Sequence, residues 1–142
     1  MQFVFPISQV KRCRFPTHIN DLVVDRADAG ASEVFLVLLE PGEAPPLHRH
    51  HDTEQIFYIL EGDGVLRIGA GQQEYAVHPT DIVRIPPSTL HSIKCSWEKP
   101  LRYLAIDCFV AGRPKDEPTR DAHARVMCRE RGWDYQQVVG QT

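Results

Sequence analysis

Short apolar runs separated by turn-forming residues dominate the first hundred or so positions of the chain. The runs are rich in β-branched residues, and glycine, proline or polar clusters lie between them. Such runs are typical of short strands joined by turns. They occupy residues 34–39, 55–60, 65–68, 74–77, 81–85, 91–95 and 101–106. We therefore predict an all-β fold, an antiparallel sandwich or barrel.

Glycines and prolines refine this pattern locally. Gly62-Asp63-Gly64 lies between two apolar runs and predicts a β-hairpin there. Residues 8–20 are too irregular for an assignment. The apolar Phe3-Val4-Phe5 is interpreted as an N-terminal strand that pairs with another chain, because an unpaired apolar edge favours aggregation.

The character of the chain changes after Ala111. A polar linker is followed by good helix formers from Pro118 to Arg131, and Gly132 is placed to end that helix. Ala122 and Val126 share a face, so we expect a short C-terminal helix that lies on the barrel surface. The predicted organisation is an N-terminal strand or arm (1–30), a barrel (31–110) and a helical tail (111–142).

Composition narrows the class of protein. The 142 residues fit one domain, and 42% hydrophobic with 25% charged residues argues against disorder. The net charge of -3 argues against a nucleic-acid partner. No apolar run approaches the roughly 20 residues of a membrane span. The first residues lack the features of a secretory signal, and the four scattered cysteines suit reduced thiols, so a cytoplasmic location is expected.

The histidines carry the chemistry. His48 and His50 are two positions apart, so on an extended strand both rings point to the same side. Two converging imidazoles favour a metal ion, to which Glu54 or Gln55 adds an oxygen and His91 a third nitrogen. Chance alone often places two of seven histidines at this spacing. The remaining histidines are interpreted as surface or packing residues, or as facing away from the metal: His18, His51, His78 and His123.

Two motifs together resemble those of the cupin superfamily. The first runs from Gly42 through His48-Arg49-His50 to Gly62, and the second from Thr80 to His91 and on to Cys95. Thr80, Ser88 and Cys95 depart from the family pattern, but at positions that affect turns and packing. The resemblance implies a cupin double-stranded β-helix, a jelly-roll barrel, that commonly forms a homodimer. It also implies a metal site that includes His48, His50 and His91.

The oxygen ligand needs a choice between two neighbours. With three residues between His50 and the acidic position of the motif, that position is Glu54. With four intervening residues it is Gln55, and six intervening residues counted back from Gly62 also lead to Gln55. Only one of the two can face the lumen, because strand side chains alternate. Gln55 shares its side with Phe57 and Ile59, so we favour Gln55 as the ligand and an outward Glu54. Some cupins with a similar Glu-Gln pair bind metal through the glutamine.

This ligand set suggests a reaction class. Three neutral histidines and a glutamine leave a divalent ion of iron, manganese, zinc or nickel with its full charge, which suits Lewis-acid chemistry. We therefore predict an isomerase-, lyase- or cyclase-type enzyme acting on a small polar or anionic metabolite. Glu54, Tyr103 and Asp107 are the candidate proton donors or acceptors. An iron-dependent dioxygenase and a non-catalytic small-ligand-binding cupin are the alternatives.

Overall fold

Two antiparallel β-sheets form the body of the protein. The computed structural model describes residues 1–140. Its nine strands are β1 (Lys11–Phe15), β2 (His18–Val24), β3 (Ser32–Leu39), β4 (Thr53–Glu61), β5 (Gly64–Ile68), β6 (Gln73–Val77), β7 (Ile82–Ile85), β8 (His91–Cys95) and β9 (Leu101–Phe109). The helices are a 3-10 turn (Ile7–Gln9), α1 (Arg26–Ala29), α2 (Arg120–Arg131) and α3 (Tyr135–Val139).

The larger sheet has six strands in the order β1-β2-β3-β9-β4-β7, and the smaller has three in the order β6-β5-β8. Alternation of side chains decides which face of each strand is buried. On β4, Gln55, Phe57 and Ile59 are buried, whereas Tyr58 between them is 39% exposed. On β9 every second residue from Leu101 to Phe109 is buried. The buried faces of both sheets meet in one apolar core.

Each of the seven apolar runs predicted as strands between residues 34 and 106 overlaps a strand of the structure, which confirms the all-β prediction. The predicted hairpin at Gly62-Asp63-Gly64 is wrong. The strand before it, β4, pairs with β7 and β9, whereas β5 after it pairs with β6 and β8. The glycine turn is therefore the corner where the chain passes from one sheet to the other.

The N-terminal region is more than an arm. Strands β1 and β2 extend the six-stranded sheet through antiparallel pairing of β2 with β3. Residues 3–5 form no strand within this chain, and the Phe3 side chain is 83% exposed. The homodimer predicted from this segment stays a prediction.

The C-terminal helix α2 ends at Arg131 as predicted, and it begins at Arg120, two residues after the predicted start. The Thr119 hydroxyl caps α2 by accepting from the Ala122 N–H, and Gly132 ends it in the left-handed conformation. The packing face differs from the prediction, because Ala124 and Cys128 are the buried apolar residues. They form a second small core with Phe15 of β1. Within residues 1–140, no helix combines the length and apolarity that a membrane crossing requires.

Replacement of Gly62 tests the corner between the sheets. Its φ is +81°, and an added Cβ would lie 2.2 Å from the Pro100 carbonyl oxygen and 2.9 Å from the Leu101 Cα. We expect Gly62→Ala to lower the unfolding free energy by about 2–5 kcal/mol, the sum of left-handed strain and a backbone clash.

Gly69→Ala is the matched control for that substitution. Gly69 has a similar φ of +84° but nothing within 4 Å of an added Cβ. Strain alone then predicts a loss of about 1–2 kcal/mol. Urea denaturation of both variants measures the difference in unfolding free energy. Equal losses of unfolding free energy would contradict the close packing of the Gly62 corner against the start of β9.

Candidate metal centre

Three histidines from two distant segments converge inside the barrel. His48 and His50 lie between β3 and β4, and His91 begins β8. Backbone hydrogen bonds join the segments: the His48 N–H donates to the His91 carbonyl (3.1 Å), and the His91 N–H donates to that of His48 (2.9 Å). One ligand nitrogen from each of the three rings lies within 4.8 Å of the other two. This isolated backbone bridge therefore places His48 beside His91, with ring centroids 4.4 Å apart.

Backbone carbonyls fix the tautomers of two of these rings. The Nδ1 of His48 lies 2.6 Å from the Pro46 carbonyl oxygen, and the Nδ1 of His91 lies 2.9 Å from that of Thr89. A carbonyl oxygen only accepts, so each Nδ1 carries the proton of a neutral ring. The Nε2 atoms are left with free lone pairs, the form in which histidine binds a metal.

Gln55 presents an oxygen to this cluster. Its Nε2 donates to the Asp107 Oδ1 at 2.7 Å, which leaves the amide Oε1 2.9 Å from the His91 Nε2. Both of these facing atoms carry lone pairs when His91 is neutral, and two such atoms repel unless a cation neutralises them. The donor set of three imidazoles and an amide oxygen therefore fits a metal ion.

Burial keeps the three rings neutral. Desolvation is the largest cause of each shift: it lowers the pKa of His48 to about 4, that of His50 to about 2, and that of His91 below its usual value. Neighbouring histidines lower the pKa values of His48 and His50 further. Neutral imidazoles are available to a metal without first losing a proton.

A buried ionic cluster lies behind Gln55. Arg26 makes two hydrogen bonds to the Glu33 carboxylate (2.8 and 2.9 Å), and Arg120 donates to the same carboxylate at 2.8 Å. The two arginines hold the pKa of Glu33 far below its usual range, although burial opposes them. Burial and the Glu33 charge raise the pKa of Asp107 well above its usual value. Asp107 links this cluster to the Gln55 amide, because its Oδ2 lies 3.8 Å from the Arg120 Nη1 and its Oδ1 accepts from Gln55.

The structure separates the three candidate proton-transfer residues. Glu54 faces outward, where its carboxylate accepts from the exposed Arg84 at 3.1 and 3.3 Å, so it is not brought to the histidines. Asp107 contacts Gln55. Tyr103 lines the same cavity as the histidines, its ring 4.8 Å from that of Phe57, and burial raises its pKa.

The histidines open into a cavity of about 510 Å³ between the sheets and helix α2. Apolar side chains from β3, β4, β8 and α2 form much of its wall: Phe35, Val37, Phe57, Ile93, Val126 and Met127. Helix α2 also contributes Arg120 and His123, and β2 contributes His18. None of these three polar residues was predicted to lie in the site from the sequence. The i, i+3 spacing of Arg120 and His123 on one helix face was the available signal.

His123 and His18 are both held by hydrogen bonds. The His123 Nδ1 lies 2.6 Å from a Glu117 carboxylate oxygen, and the His123 and His50 ring centroids are 6.4 Å apart. Burial lowers the pKa of His123, while its bond to Glu117 opposes that shift and lowers the pKa of Glu117. The His18 Nδ1 lies 2.8 Å from the Thr17 hydroxyl oxygen, and the His18 ring stacks on Phe15 with ring centroids 4.8 Å apart.

These features define a small β-barrel protein with a histidine-rich candidate metal centre in a cavity between the sheets and helix α2. The profile of the cupin domain matches residues 35–107, just over half of the sequence, and the chain belongs to this family. The recognition of a cupin barrel from the two motifs is thereby confirmed.

Relatives of known sequence match less than half of the chain. The chain is 36% identical over 63 residues to an uncharacterized protein of Methanocaldococcus jannaschii, covering 44% of this chain and 49% of that protein. It is 32% identical over 69 residues to an auxin-binding protein of Nicotiana tabacum, covering 43% and 36%. The chain thus spans half or less of the length of these relatives.

Solved structures match over more of the chain. A predicted oxalate decarboxylase of Thermotoga maritima has a TM-score of 0.66 at 21% identity and covers 75% of this chain and 99% of its own. The polyketide cyclase RemF of Streptomyces resistomycificus has a TM-score of 0.67 at 22% identity, and the match covers 80% of this chain and 83% of RemF. KdgF of a Halomonas species has a TM-score of 0.67 at 16% identity, and the match covers 80% of this chain and 98% of KdgF. At these identities the likeness establishes the fold alone.

The orientation of Gln55 can be tested through metal affinity. Asp107→Ala removes the acceptor that holds the amide, so we expect Zn²⁺ to bind about 10–100-fold more weakly. Asp107→Asn keeps an acceptor oxygen and should bind Zn²⁺ much as the wild type does. Glu54→Ala changes a carboxylate on the outer face and serves as the control. Competition with a chromophoric chelator gives the affinities, and wild-type affinity in Asp107→Ala would contradict this role.

The buried His18 predicts a pH dependence of stability. Burial lowers its pKa from 6.5 to about 3. Below the higher value the unfolded chain binds a proton that the folded protein does not, so stability falls with falling pH. His18 accounts for up to about 1.4 kcal/mol per pH unit of that fall.

Removing the group should flatten this profile. In chelator-treated protein, His18→Gln is expected to reduce the decline in unfolding free energy between about pH 6.5 and pH 4, measured by urea denaturation. His78→Gln, at an exposed histidine, is the control. An unchanged slope in His18→Gln would show that His18 binds a proton equally in both states.

Proposed function

We propose that the protein is a metal-dependent cupin enzyme that acts on a small polar or anionic metabolite. His48, His50, Gln55 and His91 would hold one divalent ion. The observation that carries the proposal is the facing pair of lone pairs on Gln55 Oε1 and His91 Nε2, held in place by Asp107 and by the Thr89 carbonyl.

The neutral donor set favours Lewis-acid over redox chemistry. When bound, the ion would supply an undiminished double positive charge that polarises an oxygen of the substrate. Among residues 1–140, the proposed donor set includes no carboxylate that could stabilise an oxidised ion, because Glu54 faces outward with Arg84. Isomerase, lyase or cyclase chemistry is therefore the proposed reaction class.

Side chains of the cavity supply binding and orientation. Tyr103 is only 3% exposed, and no hydrogen bond to its hydroxyl is present among residues 1–140. In the same part of the chain no fully buried side-chain nitrogen or oxygen lacks a partner, so this hydroxyl reaches the cavity space. It would donate to an oxygen of the substrate, while Phe35 and Phe57 exclude water from the same wall.

The cavity wall also offers charge for recognition. Arg49 and Arg131 line it, and neither forms an ion pair within the described part of the chain. Asp52 and Glu130 lie among the same lining residues. This mixture suits a polar metabolite that carries a carboxylate or phosphate together with hydroxyl groups.

The similar structures are consistent with this proposal. RemF is described as a polyketide cyclase, and the Thermotoga maritima protein as a predicted oxalate decarboxylase. Both descriptions belong to enzymes that use this fold. The auxin-binding protein of Nicotiana tabacum is instead described by a small ligand that it binds, and it represents the non-catalytic alternative.

Metal content is the direct test. We expect about one divalent ion per chain when the protein is purified without chelators, and its loss in His48→Ala and His91→Ala, because each removes a neutral nitrogen donor. His78→Ala, at an exposed histidine, should keep the metal. Elemental analysis by mass spectrometry measures all four proteins.

The outcome also separates the alternatives. Sub-stoichiometric metal in the wild type, with unchanged stability and ligand binding in both alanine variants, would favour the binding protein. Turnover without oxygen in zinc- or manganese-loaded protein would support the proposed reaction class. Turnover that requires both iron and oxygen would favour the dioxygenase.

A further inference from the structure

A histidine-carboxylate pair on the C-terminal side of the barrel has the arrangement of a proton-transfer group. The His123 Nδ1 lies 2.6 Å from the Glu117 Oε1. A carboxylate accepts the Nδ1 proton, which fixes the neutral ring in the tautomer whose Nε2 carries a lone pair. No hydrogen bond to that Nε2 is present among residues 1–140.

The free edge of this ring belongs to the same cavity as the histidine cluster. Both His123 and Glu117 line it, and the His123 side chain remains 17% exposed. Its ring centroid lies 6.4 Å from that of His50, and His123 is not one of the three clustered histidines. A small molecule held at the cluster would have its neighbouring atoms within reach of His123.

The pair is anchored from both sides. The Arg26 guanidinium, which also binds Glu33, donates to the Glu117 carbonyl oxygen at 3.1 Å. The His123 N–H donates to the Thr119 carbonyl in the first turn of α2. The charge-assisted bond between the two side chains therefore links two fixed backbone positions, so little reorganisation is needed before a proton moves.

Resting on the proposed function, we propose that His123 is the catalytic acid-base residue of this site and that Glu117 is its positioning residue. The His123 Nε2 takes a proton from a C–H or O–H group of the substrate, and the electron pair of the broken bond stays on the substrate. Glu117 stabilises the imidazolium, which returns the proton to the product.

This assignment defines the substrate class further. The molecule must carry an oxygen donor that lies at the histidine cluster, and an acidic C–H or O–H one or two bonds away from it. Hydroxy-carbonyl compounds and oxo acids have this arrangement. Glu54, Asp107 and Tyr103 are then not needed as the base.

The chain contains a natural control for the pair. His78 lies 3.0 Å from an Asp63 carboxylate oxygen, but both side chains are exposed, at 62% and 44%, and His78 does not line the cavity. A change in histidine reactivity that comes only from pairing with a carboxylate should appear at both His78 and His123. A change that comes from the cavity should appear at His123 alone.

The test measures the reaction of each histidine with diethyl pyrocarbonate in the full-length protein, using peptide mass spectrometry, with and without Zn²⁺. The reagent acylates imidazole nitrogens that carry an accessible lone pair. We expect Zn²⁺ to protect His48, His50 and His91, while His123 and His78 react in both states. Glu117→Gln should slow the reaction of His123 several-fold and leave that of His78 unchanged.

Each departure has a distinct meaning. Protection of His123 by Zn²⁺ would make it a ligand and overturn the proposal, as would a His123 that never reacts or that ignores Glu117→Gln. Failure of Zn²⁺ to protect His48, His50 and His91, with His123 still reactive and dependent on Glu117, would overturn the metal centre and leave the pair supported.

Kinetics complete the test on any substrate that the metal-loaded protein converts. His123→Gln should lower kcat by about 100-fold or more while metal content and thermal stability stay at wild-type values. Glu117→Gln should lower kcat by less and leave KM unchanged, because the carboxylate acts through the ring. A loss below about tenfold in His123→Gln would overturn the catalytic assignment.

Discussion

The amide of Gln55 is the contact on which the candidate site depends. A glutamine side chain donates hydrogen bonds from its amide nitrogen and accepts them at its amide oxygen. The Gln55 nitrogen donates to Asp107. The carbonyl oxygen is thereby turned toward His91. A single hydrogen bond between neighbouring strands, β4 and β9, thus decides whether the cavity presents an electron-pair donor or a proton donor to the histidines.

A buried ionic cluster of Arg26, Glu33 and Arg120 lies behind this contact. Removing a guanidinium from water is unfavourable unless hydrogen bonds and an opposite charge compensate it. Glu33 provides both to Arg26 and Arg120, and the arginines also lie over the rings of Phe109 and Phe35. Because Arg120 begins α2, the same cluster fixes the helix over the barrel. The ionic cluster therefore connects the metal ligands with the helix that carries His123.

Polarity is divided between the two faces of β4. The outward Glu54 pairs with Arg84 in solvent, where such a pair contributes little to stability. The inward face carries the uncharged Gln55, Phe57 and Ile59, and Gln55 contacts Asp107 of the neighbouring β9, whose pKa is raised by burial and by Glu33. The neutral donors lie on the barrel and the carboxylate-bound histidine lies on helix α2, so oxygen binding is separated from proton transfer, which suits the proposed chemistry.

Local pattern alone determined the strands from β3 to β9, the end of α2 at Gly132, the common side of His48 and His50, and the inward parity of Gln55. Each depends on residues a few positions apart, whose spacing decides which face a side chain occupies. Thr80 and Ser88, both at positive φ, also mark turns where the motifs expect glycine. Only the tertiary structure decided that Gly62–Gly64 is a corner rather than a hairpin, and that β1 and β2 complete the larger sheet. It also brought Arg120 and His123 into the cavity, because contacts between segments far apart in the chain leave no periodic signal in either one.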